Sequence, residues 1–346
     1  MRFGAVPLDE AEGAMLAHSV RLSSGKLAKG RVLSAEDLAA LRAEGAERVT
    51  VARLDPGDMA ENEAALALAR ALVPDPGAAG LRLTDPFTGR VNLIADHPGV
   101  VAMDEARLTA VNRVDPMITL ATVPPFQQMA PGGMVGTVKI ISYGVDGARV
   151  AEACEAAQGA IRLARPAISR AALVVSEIAG GAGEKGVPAV QGRLDALGIA
   201  MEAPVVVPHE TGAIARAVAE APGDLVLILT GSATSDPRDV APEAVRAAGG
   251  RVDRFGMPVD PGNLLFLGRQ GGRPVIGLPG CARSPALNGA DWVLARVACG
   301  IEVTADDIAR MGVGGLLKEI PTRPQPRAAR ARREKEGARQ PTHSSP

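Results

Sequence analysis

The sequence predicts an α/β fold: a three-layer domain with a mostly parallel sheet, preceded by a small α/β unit and a β-rich domain. The first observation is a run of five apolar residues at 225–229, bounded by Asp224 and by Thr230-Gly231. A short apolar run between turn residues is typical of a parallel strand buried on both faces. The second observation is that strand-like and helix-like segments alternate from residue 171 onward. This alternation favours a parallel sheet with helices on both faces.

Composition narrows the functional classes. The chain has 346 residues, 47% of them hydrophobic and 2% aromatic, with a net charge of −1. Few aromatic side chains and a near-neutral charge argue against a module that stacks nucleic-acid bases and against an anionic membrane surface. The three cysteines form no Cys-x-x-Cys pair, there is no apolar leader, and no apolar run reaches the ~18 residues of a membrane span. We therefore expect a cytoplasmic protein without a membrane or nucleic-acid partner.

Five segments are expected along the chain. Residues 1–80 form the small α/β unit, in which Ser34 and Asp37 have the spacing of a capping box at the start of a helix. Residues 81–150 form the β-rich domain, 151–169 a bridging helix, and 170–316 the α/β domain. Residues 317–346 are basic and lack periodicity, which predicts a disordered tail; an electrostatic contact with nucleic acid or an acidic partner is the alternative.

The candidate site follows from the predicted sheet. Ligands of open parallel sheets bind beyond the carboxyl ends of the strands, so the loops at 231–239 and 278–284 are the candidates. Small residues let backbone N–H groups approach a phosphate, and hydroxyl groups add donors, although a Gly/Ser loop can also be an ordinary turn. The residues expected to bind substrate are Thr230, Gly231, Ser232, Thr234, Ser235, Asp236, Pro279, Gly280, Cys281, Arg283 and Ser284.

Three side chains of the second loop are candidates for ligand contact. Ser284 has one expected role, whereas Arg283 and Cys281 each have two interpretations. Ser284, followed by Pro285, predicts the first turn of a long helix that ends at Cys299, where the helix dipole favours an anion. Arg283 either pairs with a phosphate or is a solvated surface arginine. Cys281 suggests a metal or dithiolene ligand, but a small buried residue in a tight loop is the favoured interpretation.

Asp239 is the carboxylate that we expect to hold Mg²⁺ and to be catalytic. A hard cation that bridges phosphates takes one or two carboxylates plus water. The alternative is that Asp239 caps the helix that follows, because it directly precedes the helical segment at 240–248. Asp236 is a weaker candidate that is equally suited to the turn before Pro237.

Residues 170–300 resemble the molybdopterin-binding domain shared by molybdopterin adenylyltransferases, molybdopterin molybdotransferases and gephyrin. The resemblance rests on DLVLILTGSATSDPRDVAPEAV at 224–245, GMPVDPGNLLFLG at 256–268 and VIGLPGCARSP at 275–285. The whole chain is most similar to bacterial molybdopterin-binding proteins that are fused to a nucleotidyltransferase domain. The sequence departs from the family pattern at Ser232, Asn263 and Cys281, and His209 stands where the family has an acidic residue.

The resemblance implies a role in molybdenum cofactor biosynthesis. Molybdopterin or its adenylylated form would be the ligand, with Mg²⁺ at Asp239, ATP or molybdate as co-substrate, and a homo-oligomeric assembly. It also implies Mg-dependent molybdate or adenylyl transfer. The departures leave two alternatives open: a non-catalytic carrier or sensor module of the same fold, and an unrelated α/β enzyme that binds a nucleotide in the same crevice.

Overall fold

The computed structural model describes residues 1–317. The predicted disordered tail therefore lies outside the described residues, apart from Leu317. Within that range no helix has the length and apolar character needed to cross a membrane.

The N-terminal part is built around a small antiparallel sheet. Its elements are β1 (Arg2–Pro7), β2 (Met15–Leu16), β3 (Val20–Leu22), β4 (Gly25–Leu27), α1 (Ala35–Ala43), β5 (Arg48–Arg53), β6 (Asp58–Ala60), α2 (Glu61–Leu72) and α3 (Pro76–Ala79). Strands β1 and β2 flank β5. The predicted capping box is confirmed, because Ser34 accepts from the Asp37 N–H and the Asp37 carboxylate accepts from the Ser34 N–H.

The middle of the chain is rich in strands. Its elements are β7 (Leu81–Leu83), β8 (Arg90–Ala95), β9 (Gly99–Met103), α4 (Glu105–Val114), β10 (Ile118–Thr122), β11 (Gln128–Met129), β12 (Met134–Ile140), β13 (Gly144–Asp146), α5 (Gly147–Ala157) and β14 (Ile161–Ala164). They form two main sheets, ordered β10-β12-β8-β7 and β11-β9-β14.

The predicted bridging helix over 151–169 is wrong in extent. Helix α5 stops at Ala157, and Gly159 then takes a left-handed conformation with φ of 64°. Glycine adopts this conformation readily, so the chain can reverse there and enter β14. Strand β14 pairs with β9, so this segment belongs to the β-rich part. The segment boundaries proposed from the sequence stay predictions.

The C-terminal part contains the largest sheet. Its elements are β15 (Arg170–Glu177), α6 (Val187–Asp195), β16 (Ala200–Met201), β17 (Val205–Pro208), α7 (Thr211–Glu220), β18 (Leu225–Leu229), α8 (Val240–Ala247), β19 (Arg251–Phe255), β20 (Phe266–Gln270), β21 (Arg273–Leu278), α9 (Gly289–Ala298) and α10 (Ala305–Arg310). Three short 3₁₀ helices lie at Leu8–Glu10, Gly183–Gly186 and Gly280–Arg283.

Strand β18 lies at the centre of this sheet and is buried along its whole length. It pairs in parallel with β15 and β21, whereas β20 pairs antiparallel with both β21 and β19. Leu225, Leu227 and Leu229 share one buried cluster with residues of α6 and α9. Val226 and Ile228 share another with residues of α7 and α8. Helices thus cover both faces, which confirms the predicted three-layer, mostly parallel α/β fold.

The β-rich part packs against this domain. Val100 of β9 and Ala164 of β14 belong to the same buried cluster as the α6 and α9 face of the large sheet. Burying an aliphatic side chain fully contributes about 1.5–3 kcal/mol relative to exposure, so a shared core of this kind holds the two parts together.

Candidate functional site

Three neighbouring strands end at one edge of the large sheet. Strands β15, β18 and β21 are parallel, and Leu229, the last residue of β18, pairs with Val175 on one side and Leu278 on the other. The loops that follow these strands therefore start level with one another. This is the edge at which ligands of open α/β sheets bind.

Arg283 joins the three loops. Its Nη1 donates to the Gly183 carbonyl at 2.6 Å, in the loop after β15, and its Nη2 donates to the Thr230 carbonyl at 2.8 Å, directly after β18. Its own loop follows β21. Burial lowers the pKa of the guanidinium. The structure thus brings the two predicted loops together, and it gives Arg283 a role that neither sequence interpretation included.

Gly231 lies directly against the end of β15. A Cβ atom at this position would lie 2.7 Å from the Ser176 carbonyl oxygen and 3.0 Å from the Ile178 nitrogen. The Gly231 N–H donates to the Ser176 Oγ at 3.1 Å. Only glycine lets the two backbones approach this closely, since real Cβ atoms essentially never come within 3.0 Å of backbone.

His209 connects the loop after β18 to the end of β15. Its Nδ1 is 2.8 Å from the Ser176 Oγ, and its Nε2 is 3.0 Å from the Ser232 Oγ. A neutral imidazole has one donor and one acceptor, so both serines can be satisfied by a single tautomer. His209 therefore holds the Ser232 hydroxyl in place through its Nε2.

The turn at 230–235 leaves backbone donors available. The Thr230 Oγ1 donates to the Ser232 carbonyl at 2.7 Å. The buried Thr234 hydroxyl lies 3.4 Å from the Thr230 Oγ1. Within residues 1–317, the backbone N–H groups of Ser232, Ala233 and Thr234 donate to no protein acceptor. Successive N–H groups of this kind form an anion-binding concavity.

Asp239 is the N-cap of α8. Its Oδ1 accepts from the Val240 N–H at 2.7 Å and its Oδ2 from the Ser235 N–H at 2.9 Å. The capping interpretation is therefore confirmed, and each carboxylate oxygen keeps a lone pair for a further partner. Asp236 is exposed and its Oδ1 accepts from the Arg238 N–H at 2.7 Å, which closes the turn at Pro237.

The second loop differs from the prediction at its end. Ser284 does not open a helix, because α9 begins at Gly289 with Asn288 as its N-cap and Asp291 completing a capping box. The Ser284 Oγ accepts from the Ala286 N–H at 3.2 Å, and the residue is exposed. The helix-dipole argument for an anion at Ser284 therefore fails.

Arg193 of α6 explains why residues 284–288 stay out of the helix. Its Nη1 donates to the Ala282 carbonyl at 2.9 Å, and its Nη2 donates to the carbonyls of Ser284 at 2.9 Å and Ala286 at 3.1 Å. The same guanidinium is paired with Asp291. These contacts hold the bent segment 284–286 against α6, ahead of the helix cap at Asn288.

The remaining second-loop residues are small or partly buried. Pro279 is buried, and Gly280 is exposed with no atom within 4 Å of a Cβ built on it. Cys281 is half-buried, and burial raises the pKa of its thiol. A protonated thiol is a poor metal ligand, so the geometry agrees with the favoured interpretation of Cys281 as a small packed residue.

Metal binding at this edge would depend on the ligand. Among the described residues, no cluster of three or more His, Cys, Asp or Glu side chains is arranged to hold a metal ion. Asp239 offers one carboxylate, which is compatible with Mg²⁺ only if phosphates and water complete an octahedral shell.

Sequence reasoning missed three residues of this arrangement: Ser176, His209 as a bridge, and Arg193. Ser176 is the next-to-last residue of β15, so the strand-end rule applied to the first strand would have indicated it. His209 was noticed only as a departure from a family pattern. Arg193 sits in the middle of a helix, and no local pattern distinguishes it from a surface arginine.

Fold and geometry together define an α/β domain whose candidate ligand site lies at the ends of its parallel strands. Residues 174–296 match the model of a family described as "Probable molybdopterin binding domain". Residues 5–53 match a second family, described as a domain of unknown function (DUF8806). A search of curated proteins gives no match.

Solved structures give weaker likenesses. A molybdopterin biosynthesis moeA protein from Pyrococcus horikosii is 13% identical over 86% of this chain and 75% of its own, with a TM-score of 0.30. A molybdopterin biosynthesis protein from Mycobacterium abscessus is 20% identical over 38% of this chain and 92% of its own, with a TM-score of 0.27. A molybdenum cofactor biosynthesis protein from Pyrococcus furiosus is 13% identical over 87% and 66%, with a TM-score of 0.24. With TM-scores below 0.5, no conclusion rests on these likenesses.

Proposed function

We propose that the loops after β15, β18 and β21 bind molybdopterin or adenylylated molybdopterin, and that the chain acts in molybdenum cofactor biosynthesis. The observation that carries this proposal is the joining of the three loops by Arg283, inside a domain of a molybdopterin-binding family. The free N–H groups at 232–234 and the Ser232 hydroxyl supply donors for the terminal phosphate of the pterin.

The test of binding is a titration of the full chain with molybdopterin under anaerobic conditions. We expect a dissociation constant in the micromolar range, and the absence of binding at tens of micromolar ligand would sink the proposal. Gly280→Ala is the informative variant, because it adds a methyl group to the open floor of the second loop. Gly4→Ala is the matched control, since a Cβ at Gly4, in the N-terminal sheet, also meets nothing within 4 Å.

Loss of affinity in Gly280→Ala with unchanged thermal stability would support ligand contact at this loop. Equal affinity in Gly280→Ala and Gly4→Ala would mean that the ligand does not approach the second loop.

We further propose that Asp239 holds Mg²⁺ for transfer of an adenylyl group from ATP or of molybdate. Metal-assisted transfer of this kind works through positioning and charge neutralisation. Asp239→Asn separates this role from capping, because asparagine caps helices about as well as aspartate whereas alanine costs about 1 kcal/mol. We expect Asp239→Asn to keep the stability and lose Mg-dependent turnover, and Asp239→Ala to lose both.

The second candidate function is a non-catalytic carrier or sensor of the same cofactor. The specific observation in its favour is that His209 replaces an acidic residue and is committed to Ser176 and Ser232. Molybdopterin binding without turnover, unchanged in Asp239→Asn, would favour the carrier. Stabilisation by ATP, GTP or CTP but not by pterins would instead favour a nucleotide enzyme. A homo-oligomer remains part of the proposal and is tested by light scattering.

A further inference from the structure

A second cleft lies between the β-rich part and the large α/β domain. It has a volume of about 490 Å³, which is within the range of small-molecule sites. One wall is the loop from Pro124 to Gln128, and the other is formed by α9, α10 and the residues beside them. None of the residues proposed above to bind molybdopterin lines it.

Phe126 forms part of the cleft wall in an uncommon backbone conformation. Its φ is 59°, and its N–H donates to the Val101 carbonyl at 2.8 Å. A bulky residue at positive φ is strained, and such strain persists only where the surroundings impose it. The loop thus holds the Phe126 ring in a fixed position.

Arg296 of α9 lies over this ring. Its guanidinium carbon is 3.9 Å from the ring centroid of Phe126. Its Nε is buried and makes no hydrogen bond within residues 1–317, and burial lowers the pKa of the side chain. The two Nη groups also make no hydrogen bond within residues 1–317, and unlike Nε they are not buried, so they are the donors that an anion in the cleft can reach.

Glu105, at the start of α4, is an exposed carboxylate of the lining with no hydrogen bond or ion pair within residues 1–317. The remaining charged groups around the cleft are already engaged. Asp291 pairs with Arg193, Arg310 pairs with Asp306, and Asp307 accepts from the Thr304 N–H and hydroxyl while it acts on Arg296 through its charge. Arg296 is thus the cation of this lining that has no hydrogen-bonded carboxylate within the described part of the chain. The surrounding carboxylates would disfavour a ligand that carries several negative charges.

The rest of the lining combines apolar side chains with Gln127 and Gln128. It includes Trp292, the single tryptophan of the chain, together with Pro124, Pro125 and Met311. We propose that this cleft binds a small planar aromatic compound with one anionic group, an aryl carboxylate being the simplest. The carboxylate takes the guanidinium of Arg296 as its donor, and the ring packs against Trp292 and the two prolines.

The test uses benzoate as the probe and benzamide as its neutral counterpart of the same shape. Trp292 reports occupancy, because ligand in the cleft changes the surroundings of its indole ring. We expect a saturable change of fluorescence with benzoate, corrected for absorption by free tryptophan amide, and at least tenfold weaker binding of benzamide. Arg296→Met should weaken benzoate binding by roughly tenfold to a hundredfold, in line with the loss of a charge-assisted pair.

Arg310→Met is the matched control, since Arg310 lines the same cleft but is paired with Asp306; it should leave benzoate binding within about twofold. If the Arg296→Met substitution disturbs the fold, Phe126→Leu serves as the second variant. It should weaken benzoate binding, and its melting temperature checks that it is folded. No saturable signal in the wild type, equal binding of benzamide, or equal effects of Arg296→Met and Arg310→Met would overturn the proposal. Asp239→Asn should leave benzoate binding unchanged, so failure here is separate from failure at the strand-end site.

Discussion

Replacing Arg193 by methionine tests whether one side chain shapes the second loop of the candidate site. The Arg193 side chain is only 9% exposed and is paired with Asp291, which is 15% exposed. Its remaining N–H groups serve carbonyls of Ala189, Ala282, Ser284 and Ala286. Methionine keeps the aliphatic stem but leaves a partly buried carboxylate and several carbonyls without a partner.

Removing one partner of a buried ion pair costs about 3–5 kcal/mol, a large share of the 5–15 kcal/mol typical of a domain. The assay is urea unfolding followed by the fluorescence of Trp292, which adjoins Asp291 in α9. Arg193→Lys should fall between wild type and Arg193→Met, because an ammonium keeps the charge but cannot reach so many carbonyls.

Arg310→Met provides the scale for an exposed pair. Arg310 and Asp306 are 79% and 71% exposed and four residues apart on α10, so solvent screens the pair and this loss should leave the free energy of unfolding almost unchanged. If Arg193→Met costs less than about 1 kcal/mol, the inference that Arg193 organises residues 282–288 is refuted, since an effect that small is typical of a solvated arginine.

Three further predictions follow from the same geometry. Gly231→Ala should destabilise the domain by about 1–3 kcal/mol, because its new methyl group meets backbone of β15, whereas Gly280→Ala should stay within about 0.5 kcal/mol; thermal unfolding of both variants checks this contrast. Burial raises the pKa of Cys299 from 9.0 to about 11, so the folded state keeps a proton that the unfolded chain releases, and about 1–3 kcal/mol of stability should be lost as pH rises from 9 to 11; Cys299→Ala should flatten that part of the curve. His209→Ala should lower the affinity for molybdopterin more than the melting temperature, because it frees Ser232 without opening the core; an unchanged affinity would contradict the proposed positioning of that hydroxyl.

Local patterns in the sequence predicted the parts of this structure that local physics determines. The apolar run at 225–229 predicted the central strand, and Ser34 with Asp37 predicted the start of α1. The sequence also predicted that the two candidate loops lie close together, because neighbouring parallel strands have their carboxyl ends on the same side of the sheet.

Other features depended on residues far apart in the chain, which local patterns do not reveal. Ser284 with Pro285 has the pattern of a helix start, yet Arg193, some ninety residues earlier, holds the local carbonyls and Asn288 caps the helix instead. Helix α5 ended early because β9 offered a pairing partner to the segment after Gly159. The role of Arg283 likewise required the positions of Gly183 and Thr230.

The hydrogen bonds of Arg283 constrain how the sequences of the three strand-end turns can evolve. Arg283 donates to the backbone carbonyls of residues 183 and 230. A substitution at 283 therefore leaves two carbonyls without a donor, and these lie 47 positions apart in the chain. Insertions that lengthen one of these turns would pull against the other two. Relatives that replace Arg283 should therefore differ in the length or course of the other two turns, whereas a changed side chain at 183 or 230 leaves both carbonyl acceptors in place.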